Sequence, residues 1–440
     1  MAEFDELTAS EAAPVDASQD DGAATESVAP TPLLEPREGT PDPITSAGRL
    51  EAAIARFAAG SGPVAIDAER ASGYRYSQRA YLVQLRREGA GTALIDPVPF
   101  AAAADLATPA DPPEVGGLAD LDAALADAEW VLHAASQDLP CLAELGMHPR
   151  KLFDTELAGR LAGFERVGLG AMVERVLGFQ LEKTHSAADW STRPLPAEWL
   201  TYAALDVELL VDLRDALTEE LARQGKLDWA LEEFAALAVR PPNPPRAEPW
   251  RRTSGVHKVR TQRGLSRVRS LWQTRDRLAR ERDIAPGRVL PDSAIVSAAL
   301  ADPTDVRTLL TLPIFSGRAN RRLADLWMGA LSAARAESGE ELPPISAPPD
   351  GPPPPNRWAD KNPDAASRLA AARTAMGELS GQHAIPVENL LTPDVVRRLA
   401  WDPPAAVTAD SVGSVLRAHG AREWQISLAA APLAGALSPA

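Results

Sequence analysis

The sequence Val64-Ala65-Ile66-Asp67-Ala68-Glu69 is an apolar run that ends in two carboxylates, two residues apart. Short apolar runs bounded by polar or turn-forming residues read as buried strands. Strand side chains alternate between faces, so Asp67 and Glu69 point the same way. Two hard anionic ligands on one rigid strand suit Mg²⁺ or Mn²⁺, which prefer oxygen and leave positions for water and substrate phosphate. By itself an Asp-x-Glu pair is a weak signal, because acids at strand ends are mostly solvated.

Working outward, Tyr81-Leu82-Val83 and Ala93-Leu94-Ile95 read as two further strands of a meander. Leu118 to Ala128 has helical spacing, Trp130-Val131-Leu132 is another strand, and a helix follows around Leu139 to Leu145. This is the pattern of an α/β domain. Asp138 falls in the first turn of that helix, where an aspartate often only complements the helix dipole. It also lies beyond a strand's C-terminal end, where open α/β sheets usually bind ligands. From Asp154 to about Leu237 helical periodicity dominates, including a long stretch from Glu198 through Leu221. Tyr202 and Asp206 are four apart within it and share one face. As an isolated pair they fit equally a core tyrosine beside a surface aspartate.

Beyond this unit, Pro241-Pro242-Asn243-Pro244-Pro245 cannot continue a helix, and Pro343 to Pro355 has the composition of an extended linker. The expected division is an acidic disordered tail over 1–42, an α/β domain over 43–238, a linker over 239–250, a helical unit over 251–337, a second linker over 338–357 and a second helical unit over 358–440. The helical units resemble each other at an offset of 100 residues: Ile284-Ala285-Pro286, Leu290 and Asp302-Pro303 against Ala384-Ile385-Pro386, Leu390 and Asp402-Pro403.

The net charge of −16 looks wrong for a nucleic-acid binder, but it is unevenly placed. Met1 to Asp42 holds eleven acids against one arginine, whereas Arg246 to Arg335 holds eighteen Lys and Arg against eight acids. Concentrated positive charge is the footprint of a nucleic-acid surface, although it can also be a solvated helix face. The single cysteine, Cys141, excludes an intramolecular disulfide and argues against a cysteine zinc site. The acidic N-terminus and the lack of a run of about 18 apolar residues lead us to expect a cytoplasmic protein that does not enter a membrane.

Taken together, Asp67-x-Glu69, Asp138 and Tyr202-x-x-x-Asp206 resemble the motif series of the DEDD exonuclease superfamily in its tyrosine form, and within it the ribonuclease D family. Tyr81-Leu82-Val83-Gln84-Leu85, His133-Ala134-Ala135, Asp154-Thr155 and Asp189-Trp190-Ser191-Thr192-Arg193-Pro194-Leu195 carry the resemblance further, across roughly residues 44–225. The helical units resemble HRDC domains. The histidine form of the superfamily would place its base five residues before the last aspartate, where this chain has Thr201, and His185 is too distant.

The resemblance implies a ribonuclease H-like α/β domain, a mixed sheet flanked by helices, followed by two all-α HRDC-type domains. It implies a 3′-to-5′ exoribonuclease with two divalent cations, Mg²⁺ or Mn²⁺, held by Asp67, Glu69, Asp138 and Asp206, with Asp67 between them. Products would be nucleoside 5′-monophosphates, and Tyr202 would orient the attacking water, since a phenol with a pKa near 10 is a poor base. Arg193 and Lys183 are candidate phosphate contacts, with structural ion pairing as the other reading. Arg251, Arg252, Lys258, Arg260, Arg263, Arg267 and Arg269 would hold the body of an RNA such as precursor tRNA. A monomer is expected.

Three rivals stay open at this point. A DNA exonuclease would show the same acids. A catalytically silent RNA-binding protein would be expected to have lost one. A nucleotidyl polymerase would need a Gly-Ser phosphate loop that is missing here.

Overall fold

A computed structural model describes residues 29–100, 118–181, 187–241, 244–346 and 351–438. The N-terminal α/β unit contains β1 (Thr31–Leu33), α1 (Ala47–Ala59), β2 (Ser61–Arg70), β3 (Ala80–Glu88), β4 (Gly91–Ile95), α2 (Ala119–Ala124), β5 (Glu129–Leu132), α3 (Leu139–Glu144), β6 (Lys151–Asp154), α4 (Thr155–Leu161), α5 (Leu169–Leu177), β7 (Phe179–Leu181), α6 (Ala197–Glu208), α7 (Leu210–Arg223) and α8 (Leu227–Ala238). The main sheet has the order β4-β3-β2-β5-β6. Its first two pairings are antiparallel, as the meander predicts, and β2-β5 and β5-β6 are parallel. The sheet is therefore mixed and flanked by helices on both faces.

Strand β2 is central and buried on both faces in its middle, which is why Val64-Ala65-Ile66 is continuously apolar rather than alternating. Val64, Ile66 and Ala68 join a core with α1, α2 and α3, including Phe57, Leu121 and Leu142. Ala65, with Val131 and Phe153, joins the core on the other face under α4, α7 and α8. Asp67 and Glu69 continue the row begun by Ala65, so they face the side on which α6 lies.

Two expectations need correction. The stretch from Glu198 through Leu221 is two helices, because Leu209 leaves helical geometry (φ −114°, ψ 6°) and lets α6 and α7 pack in different directions. The tail expected over 1–42 is structured in its last third: Thr31–Leu33 pairs in parallel with Phe179–Leu181, and Arg37 reaches Glu208 and Asp212. Residues 1–28 lie outside the described residues.

The first helical unit comprises α9 (Gln262–Glu281), α10 (Pro286–Val289), α11 (Asp292–Ala301), α12 (Val306–Leu309), α13 (Arg318–Arg322) and α14 (Ala324–Ala336) around its own core of Trp250, Leu271, Ile295, Phe315 and Trp327. Thr261 caps α9, accepting from the Gly264 amide at 3.1 Å. The second comprises α15 (Trp358–Lys361), α16 (Pro363–His383), α17 (Val387–Leu390), α18 (Pro393–Trp401), α19 (Ala409–Ala418) and α20 (Glu423–Leu437). Both run from one long helix through a short turn of helix to a medium one, about 100 residues apart. They attach differently. The second shares one continuous core with α5, α7 and α8. The first meets the loop after β2 mostly through polar contacts: Asp283 accepts from the Tyr76 and Ser77 amides at 3.1 and 2.9 Å, and Arg288 donates to the Gly73 carbonyl at 2.8 Å. Among the described residues no helix is long and apolar enough to cross a membrane.

Candidate active site

The site is assembled where β2, β5 and α6 meet. On β2, Asp67 pairs in register with Gln84 of β3, and Gln84 Nε2 donates to Asp67 Oδ2 at 3.2 Å. Helix α6 lies across β2, β3 and β4, held by Leu200, Ala203 and Ala204 against Tyr81, Leu82, Leu94 and Trp190. That packing brings Asp206 to the β2 pair, and carboxylate oxygens of Asp67, Glu69 and Asp206 lie within 4.8 Å of one another. Tyr202, one turn earlier, hydrogen-bonds Asp206 and packs near Trp190, ring centroids 6.4 Å apart.

Asp138 stands outside this trio of oxygens but inside its electrostatic field. After β5 the chain turns through Ala134 in the left-handed region (φ 57°) and a short 3-10 turn at Ala135–Gln137, and Asp138 then opens α3. Asp154, fully enclosed at the end of β6, fixes this turn by accepting from the Ala134, Ala135 and Leu157 amides at 3.1, 2.9 and 3.1 Å. The nearest cation to Asp138 is Arg70, Nη2 to Oδ1 3.7 Å.

Burial is the first cause of every shift in the cluster, and the acids then act on one another. Asp67 is raised to about 6, restrained by the Ala68 amide and Arg70. Asp138 is raised to about 8 by burial and then by Asp67, with Arg70 pulling the other way. Glu69, beside Asp67, Asp206 and Asp138, is pushed well above the carboxylate range, as is Asp206 beside Asp67. Burial and the neighbouring carboxylates also raise the Tyr202 phenol above its usual value. Four acids that cannot all ionise together in the bare protein form a site short of positive charge. An all-oxygen donor set with this deficit fits divalent cations of the Mg²⁺ or Mn²⁺ type.

Of the sequence candidates, Asp67, Glu69, Asp206 and Tyr202 converge and Asp138 borders them. Arg193 does not join them as a phosphate contact. Its guanidinium is consumed by Asp96 at 2.7 and 2.9 Å and by the carbonyls of Tyr81, Trp190 and Thr192, so the structural reading holds. Lys183 and His185 lie outside the described residues. In the basic segment Arg251, Arg267 and Arg269 are engaged with Glu248, Asp302 and Glu337, whereas Arg252, Lys258, Arg260 and Arg263 are exposed. Sequence reasoning missed the roles of Arg70, Gln84 and Asp154. Gln84 carried a usable signal, a lone amide inside an apolar strand. Asp154 reads only as a helix cap, and its grip on the Ala134 turn depends on the parallel β5-β6 pairing.

Comparison with known proteins agrees with this geometry. The family model described as 3′-5′ exonuclease matches residues 41–222, the HRDC domain model matches 264–331, and the model described as 3′ to 5′ exonuclease C-terminal domain matches 351–437. The chain is 31% identical over 287 residues to ribonuclease D of Nitrobacter hamburgensis, covering 63% of this chain and 71% of that one. A crystal structure of a protein from Bifidobacterium adolescentis is similar with a TM-score of 0.81 and 38% identity, covering 93% of this chain and 99% of that one. Escherichia coli RNase D, described as an exoribonuclease involved in structured RNA processing, is similar with a TM-score of 0.62 and 25% identity over 87% of this chain and 99% of that one. A 3′-5′ exonuclease domain with its acids gathered in one cleft, an HRDC domain behind it, and relatives matched over most of their length together give one conclusion: the chain belongs to the ribonuclease D family of 3′-5′ exoribonucleases.

Proposed function

We propose that the protein shortens structured RNA from the 3′ end, one nucleoside 5′-monophosphate at a time, and that precursor tRNA is the type of substrate it serves. The observation that carries this reading is the meeting of Asp67, Glu69 and Asp206 within 4.8 Å, with Asp138 raised by burial and then by Asp67, and Tyr202 bonded to Asp206. Asp67, Glu69, Asp138 and Asp206 would hold two divalent cations, which when bound lower the pKa of water and stabilise charge on the leaving oxygen. Tyr202 keeps its proton, because burial and then the neighbouring carboxylates raise its phenol, so it positions the attacking water instead of deprotonating it. Water oxygen forms the new bond to phosphorus, the bond from phosphorus to the 3′-oxygen breaks, and that oxygen leaves protonated on the shortened RNA.

The exposed Arg252, Lys258, Arg260 and Arg263 sit beside α9 and support a role for the first helical unit in holding the RNA body by its phosphates. We read the unit from β1 to α8 as the catalytic domain and the units α9–α14 and α15–α20 as two helical domains, the second a diverged copy of the first. The working form is a cytoplasmic monomer. The test is digestion of matched 5′-labelled RNA and DNA oligonucleotides with Mg²⁺ or Mn²⁺. A ladder receding from the RNA 3′ end, lost with EDTA and in Asp67→Asn, is expected. Preferential shortening of DNA, or tight binding without any shortening, would overturn the reading.

A further inference from the structure

The cleft beside the acids has a volume of about 190 Å³ and is lined by Glu69, Arg70, Ser72, Tyr74, Ala187 and Ala188, among others. Arg70 is the only basic side chain among the described residues that line it. Its placement is specified by the sheet. Glu69 pairs with Leu82 and Arg70 with Ala80, so the register slips by one residue at Tyr81, and slips of this kind bend a strand and re-aim its side chains. Here the bend carries Arg70 toward Asp138.

Arg70 is poorly used where it stands. Its side chain is 27% exposed, its ion pair to Asp138 is long at 3.7 Å, and it forms no hydrogen bond with any described residue. Arg193, a few residues from the same cleft wall, shows the opposite condition, with all its nitrogens engaged. A guanidinium carries five N–H donors in a fixed fork that matches a phosphate, and those of Arg70 line the cleft with no hydrogen-bond partner among the described residues. Charge points the same way. Two divalent cations would balance the four carboxylates, leaving Arg70 opposite a substrate that brings one negative charge per linkage.

The geometry points to Arg70 as a substrate-positioning residue that binds a phosphodiester of the last few nucleotides at the RNA 3′ end, with Asp138 as its resting partner. This rests on the proposed RNA reading of the site. Arg70 takes no part in bond breaking; it sets the depth and register at which the 3′ end enters, acting with Tyr74 and Ser72 on the same wall.

The test is binding of a 5′-fluorescein hexaribonucleotide, read by anisotropy in EDTA so that no cleavage intervenes. The three 3′-terminal linkages are replaced singly by neutral methylphosphonates. In the wild-type protein one replacement should weaken binding roughly tenfold, the scale of one charge-assisted bidentate contact. In Arg70→Gln the unmodified RNA should already show that loss, and the same replacement should cost less than about twofold. Arg70→Lys, which keeps the charge but not the fork, should recover part of the affinity and serves as the measured variant if Arg70→Gln does not fold. Equal methylphosphonate penalties in wild-type and Arg70 variants would overturn the assignment. Failure of the wild-type protein to bind or shorten RNA at all would instead remove the parent reading, so the two failures are distinct.

Discussion

Asp67, Glu69, Asp138 and Asp206 are individually ordinary carboxylates, and their chemistry comes from being enclosed together. Asp67 ionises at 3.8 when free and about 6 in the fold; for Asp138 the change is from 3.8 to about 8. A raised acid contributes stability that is complete below the free value and lost as pH climbs through the folded one. In EDTA the melting temperature should therefore fall between about pH 4 and 8, and Asp138→Asn should flatten the upper part of that fall. Saturating Mg²⁺ should restore stability at pH 8. A flat profile in EDTA would show that the acids are not confined together. Tyr202→Phe leaves the ring packed near Trp190 and removes only the hydroxyl. It should lower kcat by about 10²-fold with little change in KM, the size of effect expected from losing one positioned group in the transition state.

At the scale of elements, the site depends on turns more than on strands. The Ala134 turn that delivers Asp138 is held by three amide hydrogen bonds to Asp154. Asp154→Ala should cost about 2–4 kcal/mol, because it strands three amide donors away from water, and it should remove activity although Asp154 touches no substrate. Asp154→Asn, which retains one acceptor oxygen, should lie between; a stable and fully active Asp154→Ala would refute this account. The same distinction explains what was legible in the sequence. The β2–β4 meander and β5 follow from short apolar runs, and the face shared by Tyr202 and Asp206 from a spacing of four in a helix, which are local signals. The break at Leu209 has no Gly or Pro to announce it, and β7 at Phe179–Leu181 is too short to show a period. Thr31–Leu33 becomes a strand only because β7 is there to pair with it. Arg193 and Arg70 look alike as sequence, and only the fold shows that Arg193 is tied to Asp96 at 2.7 Å while Arg70 makes a long ion pair to Asp138 at 3.7 Å.

For the molecule as a whole, the two helical units make unequal claims on the catalytic unit. Trp424 of α20 stacks on Trp229 of α8 with centroids 5.2 Å apart and an interplanar angle of 13°. Glu232 accepts from the Glu423 amide at 2.7 Å, and Lys226 Nζ donates to the carbonyls of Leu161 and His383 at 2.8 and 2.6 Å. Trp424→Ala should destabilise by about 3–5 kcal/mol. Because the core is shared, calorimetry should show catalytic and C-terminal halves melting in one transition, and two separate transitions would contradict a shared core. The first unit has its own core and touches the catalytic unit mainly through the loop after β2. Asp283→Ala should cost little overall stability, about 1 kcal/mol, while raising KM for RNA by loosening the loop of Tyr76 and Ser77 that follows the cleft residue Tyr74. The shared core also has a meaning in time. A ribosome makes Val173, Leu217 and Phe234 long before Leu369, Trp424 and Leu433, which cover the same apolar mass. A chain terminated before α16 should therefore leave the apolar faces of α5, α7 and α8 uncovered and be recovered as aggregate or proteolytic fragments, not as a smaller working enzyme.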